Sequence, residues 1–208
     1  MPIVYVYVLD TLADWEIGYV TAELNSGRFF KKGAECVSLK YVGCSEKAVT
    51  TMGGVTIEPD CVVEDIVLDA TSVLLLPGAD TWNDSIHGAV IEKAKELLDA
   101  GATVCAICGA TTALANAGIL DKRAHTSNGA GFLEMFAPGY HGQDFYVDDL
   151  AVADQNLITA GAAGALLWTK QILARMDVFK PKALEAWYAY FHTGDSKYFF
   201  QLMQEVGK

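Results

Sequence analysis

The stretch that most constrains this chain is Ala102 to Gly118, ATVCAICGATTALANAG. Thr103-Val104-Cys105-Ala106-Ile107 is an apolar, β-branched run of the kind that forms a buried strand. Cys108 and Gly109 follow, and small helix formers then run from Ala110 to Ala117, with Gly118 as the stop. A strand that passes into a helix through a tight turn carrying one nucleophile is a nucleophile elbow. Such a turn lifts the Cys108 side chain out of the sheet, leaves the Gly109 N–H free and sets a helix N-terminus behind the sulfur. A thiol placed there is expected to shift toward thiolate, its reactive form. The same residues also fit a buried structural cysteine at the end of a core strand.

The 208 residues suffice for one α/β domain with a full core, and a hydrophobic content of 52% excludes a disordered chain. The formal charge is −11 and no Lys/Arg cluster interrupts it, which argues against nucleic acid and anionic membrane as partners. Ile3 to Leu9 has no basic region before it and no cleavage site after it, so it reads as a strand and not a signal peptide. No apolar run approaches roughly 18 residues, so no transmembrane helix is expected. Five cysteines at irregular spacing fit reduced thiols and a cytoplasmic protein better than a disulfide framework.

Ile3–Leu9 is apolar on both faces, as a central parallel strand should be. Asp10, Thr11 and Asp14 are cap-type residues ahead of a helix that carries Trp15, Tyr19 and Ala22 on one face and ends near Gly27. Ala34–Val42 predicts a second strand, Lys47–Glu58 a hairpin around Gly53-Gly54, and Ser72–Leu76 a third buried strand closed by Pro77-Gly78-Ala79. Ile86–Ala100 has helical periodicity. Beyond the elbow, Ala124–Ser127 reads as extended and Gly129–Phe136 as a short helix. Gln143–Asp149 and Leu150–Ala153 read as edge strands, Asn156–Thr159 as a buried strand and Ala162–Met176 as an amphipathic helix. Residues 181–208 form a helical extension. Leu184, Trp187, Tyr188 and Phe191 share one face of its first helix, and Tyr198, Phe199, Leu202, Met203 and Val206 mark the second. The pattern predicts a single domain with a three-layer, doubly wound, mostly parallel sheet and extra C-terminal helices. Sites in such sheets lie at the carboxyl ends of the strands. Asp10–Glu16, Pro77–Trp82 and Cys108-Gly109 all end there.

Taken in order and at these spacings, those segments resemble the DJ-1/PfpI superfamily, with its flavodoxin-like, class I glutamine-amidotransferase-like fold. The resemblance also rests on Gly118-Ile119-Leu120, on Ala124-His125-Thr126-Ser127-Asn128 and on Leu157-Ile158-Thr159-Ala160. It implies that Cys108 takes the nucleophile position and that Glu16 matches the family glutamate beside that sulfur. A protonated Glu16 would donate a hydrogen bond to the thiolate. The residue alone fits equally an exposed first-turn acid that complements the helix dipole. The family Pro-Gly-Gly reads Pro77-Gly78-Ala79, so the Ala79 and Gly109 amides are the expected oxyanion donors, with the added methyl narrowing the pocket. The histidine that directly follows the nucleophile in PfpI-type peptidases is replaced by Gly109. Where other branches carry a histidine after the elbow, Ser127 or Asn128 stands here, with His125 displaced by two or three residues. His125 is thus either a general base reached across that offset or a structurally bonded histidine. Asp80, Trp82, His125 and Asn128 are expected to line the pocket.

The Cys105-x-x-Cys108 pair has the thioredoxin-like spacing. A strand would point the two side chains to opposite faces and hold their Cα atoms roughly 10 Å apart, too far to bridge. The remaining cysteines and the four histidines show no metal-ligand spacing, and no phosphate-binding glycine loop is present, so no metal and no cofactor is expected. The resemblance implies a small-molecule hydrolase or lyase, or an intracellular protease or amidase. The alternative is a non-catalytic stress sensor that works through reversible oxidation of Cys108. Expected partners are a small-molecule substrate or oxidant and a second copy of the chain in a homodimer.

Overall fold

The computed structural model describes residues 1–206. Five parallel strands form the middle and one wing of the sheet: β1 (Ile3–Tyr7), β2 (Ser38–Gly43), β5 (Cys61–Val62), β6 (Val73–Leu76) and β7 (Thr103–Ile107). β9 (Leu157–Ala160) continues the parallel order beside β7, and β8 (Ala151–Asp154) closes the edge antiparallel to it. The sheet runs β5-β2-β1-β6-β7-β9-β8, and the short hairpin β3 (Val49–Thr50) with β4 (Thr56–Ile57) lies outside it. The helices are α1 (Asp14–Ser26), α2 (Gly88–Asp99), α3 (Ala110–Asn116), α4 (Phe132–Phe136), α5 (Ala165–Arg175), α6 (Pro181–Thr193) and α7 (Ser196–Val206). This is the mostly parallel, flavodoxin-like architecture that the alternation of patterns implies. Every residue of β6, β7 and β9 is buried, because parallel strands are covered on both faces.

From β1 the chain winds outward to β2 and β5, then returns across β1 to β6 and continues to β7 and β9. Strand order therefore reverses between β1 and β6, and a crevice opens there beyond their carboxyl ends. α1 leaves β1 into that crevice, Pro77-Gly78 leaves β6 into it, and Cys108 leaves β7 next door.

Several local expectations are corrected. The buried face of α1 is Glu16, Ile17, Val20, Glu23 and Leu24, while Trp15 and Ala22 are exposed. The stripe read from Trp15, Tyr19 and Ala22 thus missed the buried face because two carboxylates turn inward. α1 is capped by Ala13 without a side-chain cap. Asp10 and Asp14 bond the hairpin instead: Asp10 Oδ1 accepts the Thr50 N–H (2.8 Å), and Asp14 accepts from Thr51 Oγ1 (2.6 Å) and the Gly53 N–H (2.7 Å). Gln143–Phe145 is a single 3₁₀ turn, not an edge strand. In the C-terminal helices Leu184, Trp187 and Leu202 are buried, whereas Phe199 and Met203 of the second stripe are exposed. No helix of the described residues is long and apolar enough to cross a membrane.

Candidate active site

Cys108 sits at the turn between β7 and α3 with φ of +56°, in the left-handed region that a non-glycine residue rarely adopts. The surrounding structure holds it there. Its N–H donates to Ala160 O (2.9 Å), and its carbonyl accepts the Thr111 hydroxyl (2.6 Å). The Thr111 hydroxyl also meets Ser127 Oγ at 2.6 Å, so the elbow is tied to the loop that follows α3. Strain of this kind is maintained only where neighbours over-determine the conformation.

Glu16, in the first turn of α1, is fully buried. Its Oε2 accepts the Gly78 N–H at 2.6 Å, and its Oε1 finds no other partner and is left to the Cys108 sulfhydryl beside it. A Cβ on Gly78 would lie 2.7 Å from both Cys108 Cβ and Glu16 Oε2. Only glycine at this position lets the carboxyl and the sulfur meet. Burial raises the Glu16 carboxyl to about 7, against the smaller lowering by the Gly78 N–H and Cys108.

The expectation that the bend alone acidifies the thiol is corrected. Burial pushes the Cys108 thiol up and a Glu16 carboxylate adds to this, while the Asn128 amide and the Gly109 N–H favour the thiolate. Sulfur and carboxyl therefore oppose one another's ionisation: once Glu16 carries its charge near 7, ionisation of the thiol is held back.

The loop from Ala124 to Asn128 is pinned residue by residue. The Ala124 N–H donates to Asp154 Oδ2, His125 pairs with Tyr146, and the Thr126 N–H donates to Thr159 Oγ1. This brings Asn128 to the mouth of the elbow, where its Nδ2 donates to Cys108 Sγ at 3.3 Å and its Oδ1 accepts the Ala162 N–H at 2.8 Å. His125 stands apart. Its Nδ1 bonds Arg123 O (2.7 Å), its Nε2 bonds the Tyr140 hydroxyl (2.8 Å), and it is fully buried. Both ring nitrogens are committed there, and burial lowers its proton affinity.

Ala79 and Gly109 lie against one another: a Cβ on Gly109 would come 2.8 Å from Ala79 O and 3.5 Å from Ala79 N. Neither N–H donates to a backbone carbonyl among the described residues. Trp82 does not open into the crevice. It is buried, its indole N–H donates to Pro77 O (2.8 Å), and its ring backs Gly109 from below. Asp80 is exposed, and its N–H donates to Thr11 Oγ1 at 2.8 Å. Thr111 escaped the sequence reading as a site residue; its only signal was a hydroxyl one turn past the elbow. Ser127, read with Asn128 at the family histidine's position, bonds Thr111 and not the sulfur. Cys105 is wholly buried within β7, far from any bridge to Cys108. Among the described residues no group of three or more His, Cys, Asp or Glu side chains is placed to hold a metal ion.

A groove of about 550 Å³ adjoins this site, lined by Ser127, Asn128, Gly129, Asp148, Asp149 and the turn at 161–164. Comparison with known proteins agrees with this architecture. The model of the DJ-1/PfpI family matches residues 3–175. The chain is 42% identical over 205 residues to a Bacillus subtilis protein named "Uncharacterized protease YoaZ", covering 99% of this chain and 98% of that protein. It superimposes with a TM-score of 0.97 on the crystal structure of a thiJ/pfpI family protein from Bacillus anthracis, at 42% identity and covering 100% and 99% of the two chains. A DJ-1 superfamily protein from Agrobacterium tumefaciens gives a TM-score of 0.80 at 27% identity, covering 93% of this chain and 99% of that one. By the extent of the family match and these relatives over nearly its whole length, the chain belongs to the DJ-1/PfpI family.

Proposed function

We propose that this protein is a cysteine-nucleophile enzyme, a hydrolase or lyase acting on a small electrophilic molecule. The observation that carries the reading is the meeting of the Glu16 carboxyl and Cys108 over Gly78, with the carboxyl held near 7 by burial. A carboxyl with that proton affinity both takes the thiol proton and returns it near neutral pH. In the proposed step the Cys108 sulfur attacks an electrophilic carbon, Glu16 holds the proton released from the thiol, and the negative charge that develops on the substrate oxygen is received by the Ala79 and Gly109 N–H groups. Among the described residues no imidazole is bonded to the sulfur, and His125 is committed to Arg123 and Tyr140. The reading therefore favours small carbonyl compounds and related electrophiles over peptide-bond cleavage by a Cys-His pair. The name of the Bacillus subtilis relative, a protease, is carried here only as an alternative substrate class.

The missing imidazole also favours a second reading, in which an oxidant converts the Cys108 thiolate reversibly to sulfenic acid and the protein reports that change. One experiment separates the two. The rate of iodoacetamide alkylation is followed against pH alongside a screen of carbonyl and amide substrates. Turnover that Cys108→Ser abolishes, with an alkylation rate that first rises as the Glu16–Cys108 pair loses its first proton near 7, supports the enzyme. The same rise without turnover of any substrate class leaves the sensor, and a rate with no rise near 7 overturns both.

A further inference from the structure

We propose that Asn128 holds the Cys108 thiolate in place and does so as a donor that never takes a proton, so that proton traffic at the sulfur runs through Glu16 alone. The inference rests on the reading of Cys108 as the reacting atom. Its basis is the pair of bonds made by one side chain: the Asn128 amide reaches Sγ on one side and the Ala162 N–H on the other.

The orientation of an amide is decided by its partners. Ala162 N–H is a donor, so the atom facing it must be the acceptor Oδ1. That leaves Nδ2, which has only hydrogens to offer, facing the sulfur. The turn at Gly161 fixes the Ala162 N–H in its turn: a Cβ on Gly161 would fall 2.6 Å from Ser127 O, so the two loops approach as closely as backbone permits. The tether from 161–164 to Asn128 thus sets the direction of a hydrogen bond at the nucleophile. A donor favours the charged sulfur over the neutral thiol, in the opposite sense to the burial and the Glu16 charge that hold the thiol up. A histidine at this point would add a second titrating group, and asparagine adds none.

Asn128 also forms the shared wall between the sulfur and the groove that runs toward Asp148 and Asp149.

The test is the pH midpoint of Cys108 alkylation by iodoacetamide in the full chain, for wild type, Asn128→Ala and Asn128→Asp, with thermal melting to confirm that each variant is folded. Asn128→Asp keeps an oxygen for the Ala162 N–H and turns a carboxylate to the sulfur. Its midpoint is expected to rise by about one pH unit, a tenfold loss of labelling rate below the midpoint. Asn128→Ala removes the donor while water can partly replace it, and its midpoint is expected to rise by about half a unit, roughly a threefold loss. A merely structural role slows labelling by one factor at every pH and leaves the midpoint where it was. An unmoved midpoint in Asn128→Ala overturns the proposal, as does an unmoved midpoint in Asn128→Asp, since the amide would not then face the sulfur. Both comparisons are read relative to wild type, so they stand wherever the wild-type midpoint falls. Turnover of a substrate that Cys108→Ser leaves intact overturns the reading of Cys108 itself and is told apart from either of those results.

Discussion

Glu16 and Glu23 stand two turns apart on the inner face of α1, and both are buried. Glu23 is supplied with everything a buried carboxylate needs. Arg28 Nε donates to its Oε2 at 3.1 Å, a second guanidinium nitrogen reaches its Oε1, and Trp187 Nε1 donates to Oε1 at 3.0 Å. Glu16 receives one backbone N–H, and among the described residues no Lys or Arg nitrogen lies within ion-pair distance of it. One helix thus buries the same side chain in two ways. A cation and two kinds of donor make Glu23 a fastening between α1, the 27–30 turn and α6. The lack of a cation makes Glu16 a group that gains and loses a proton near neutral pH. An uncompensated buried carboxyl costs stability, and it stands here beside a cysteine in a strained backbone conformation.

The contrast breaks most visibly at Glu23. Glu23→Ala leaves the Trp187 N–H unpaired in the core, strips Arg28 of its partner and opens a void, and should cost about 4 kcal/mol in denaturant unfolding. The pH midpoint of Cys108 alkylation should not move. A moved midpoint would mean that the two glutamates are not separable.

At Glu16 the effect is smaller and has the opposite sign above neutral pH. Its carboxyl is raised in the folded protein, so the stability that the neutral form contributes is fully present at pH below the ordinary carboxyl value and is lost as pH rises through about 7. Glu16→Gln keeps an acceptor for the Gly78 N–H but has no proton to lose. Wild type should therefore weaken relative to Glu16→Gln between pH 5 and 8, by roughly 3 kcal/mol in all. The same variant should alkylate faster near pH 7, because the Glu16 charge that holds the thiol up is gone. Parallel stability curves for the two proteins would place the Glu16 proton elsewhere.

This contrast also shows how far the chain can be read without coordinates. The elbow was legible because it is local: five apolar residues, a Cys-Gly turn and a run of small helix formers decide it within 17 positions. The sheet was legible because buried parallel strands are apolar throughout. The inner face of α1 was not. Periodicity assigns apolar residues to the core, so it chose Trp15 and passed over two glutamates whose partners lie far away in the chain, Gly78 at 62 residues and Trp187 at 164. The histidine stayed between two readings for a related reason. An offset along an assumed strand left His125 either a base reached across two or three residues or a structurally bonded ring, and the second is what the structure holds; the loop from 124 to 128 is shaped by bonds to Asp154, Phe145, Thr159 and Ala162, none of which is a neighbour in sequence. Ser127 and Asn128 read as sharing one position beside the elbow. Which of the two meets the sulfur was decided by Thr111, which takes the Ser127 hydroxyl and leaves the amide to Cys108.

The smallest effect expected concerns the charge that reaches the sulfur. The groove beside Asn128 carries Asp148 and Asp149 and no cationic side chain in its lining, and Glu16 supplies a further charge once it ionises. The whole chain has a net charge of −11. Potentials of one sign focused in a cleft raise the local concentration of the opposite charge and lower that of the same charge. Iodoacetate and iodoacetamide present the same leaving group on similar frames and differ chiefly in one carboxylate. At pH 7.5 and low salt, the ratio of their alkylation rates at Cys108 should fall about three- to tenfold below the ratio for a small free thiol. Added salt should restore part of the difference, since a charge at the mouth of the groove is screened over about 10 Å at 0.1 M. Asp148→Asn together with Asp149→Asn should restore more of it at fixed salt without moving the midpoint for iodoacetamide. If the ratio responds to salt but not to the paired substitution, the repulsion comes from the net charge of the molecule. If it responds to the substitution, the groove is the path to the sulfur, and the carboxylate at Glu16 is the last of three negative charges that an anionic electrophile has to meet.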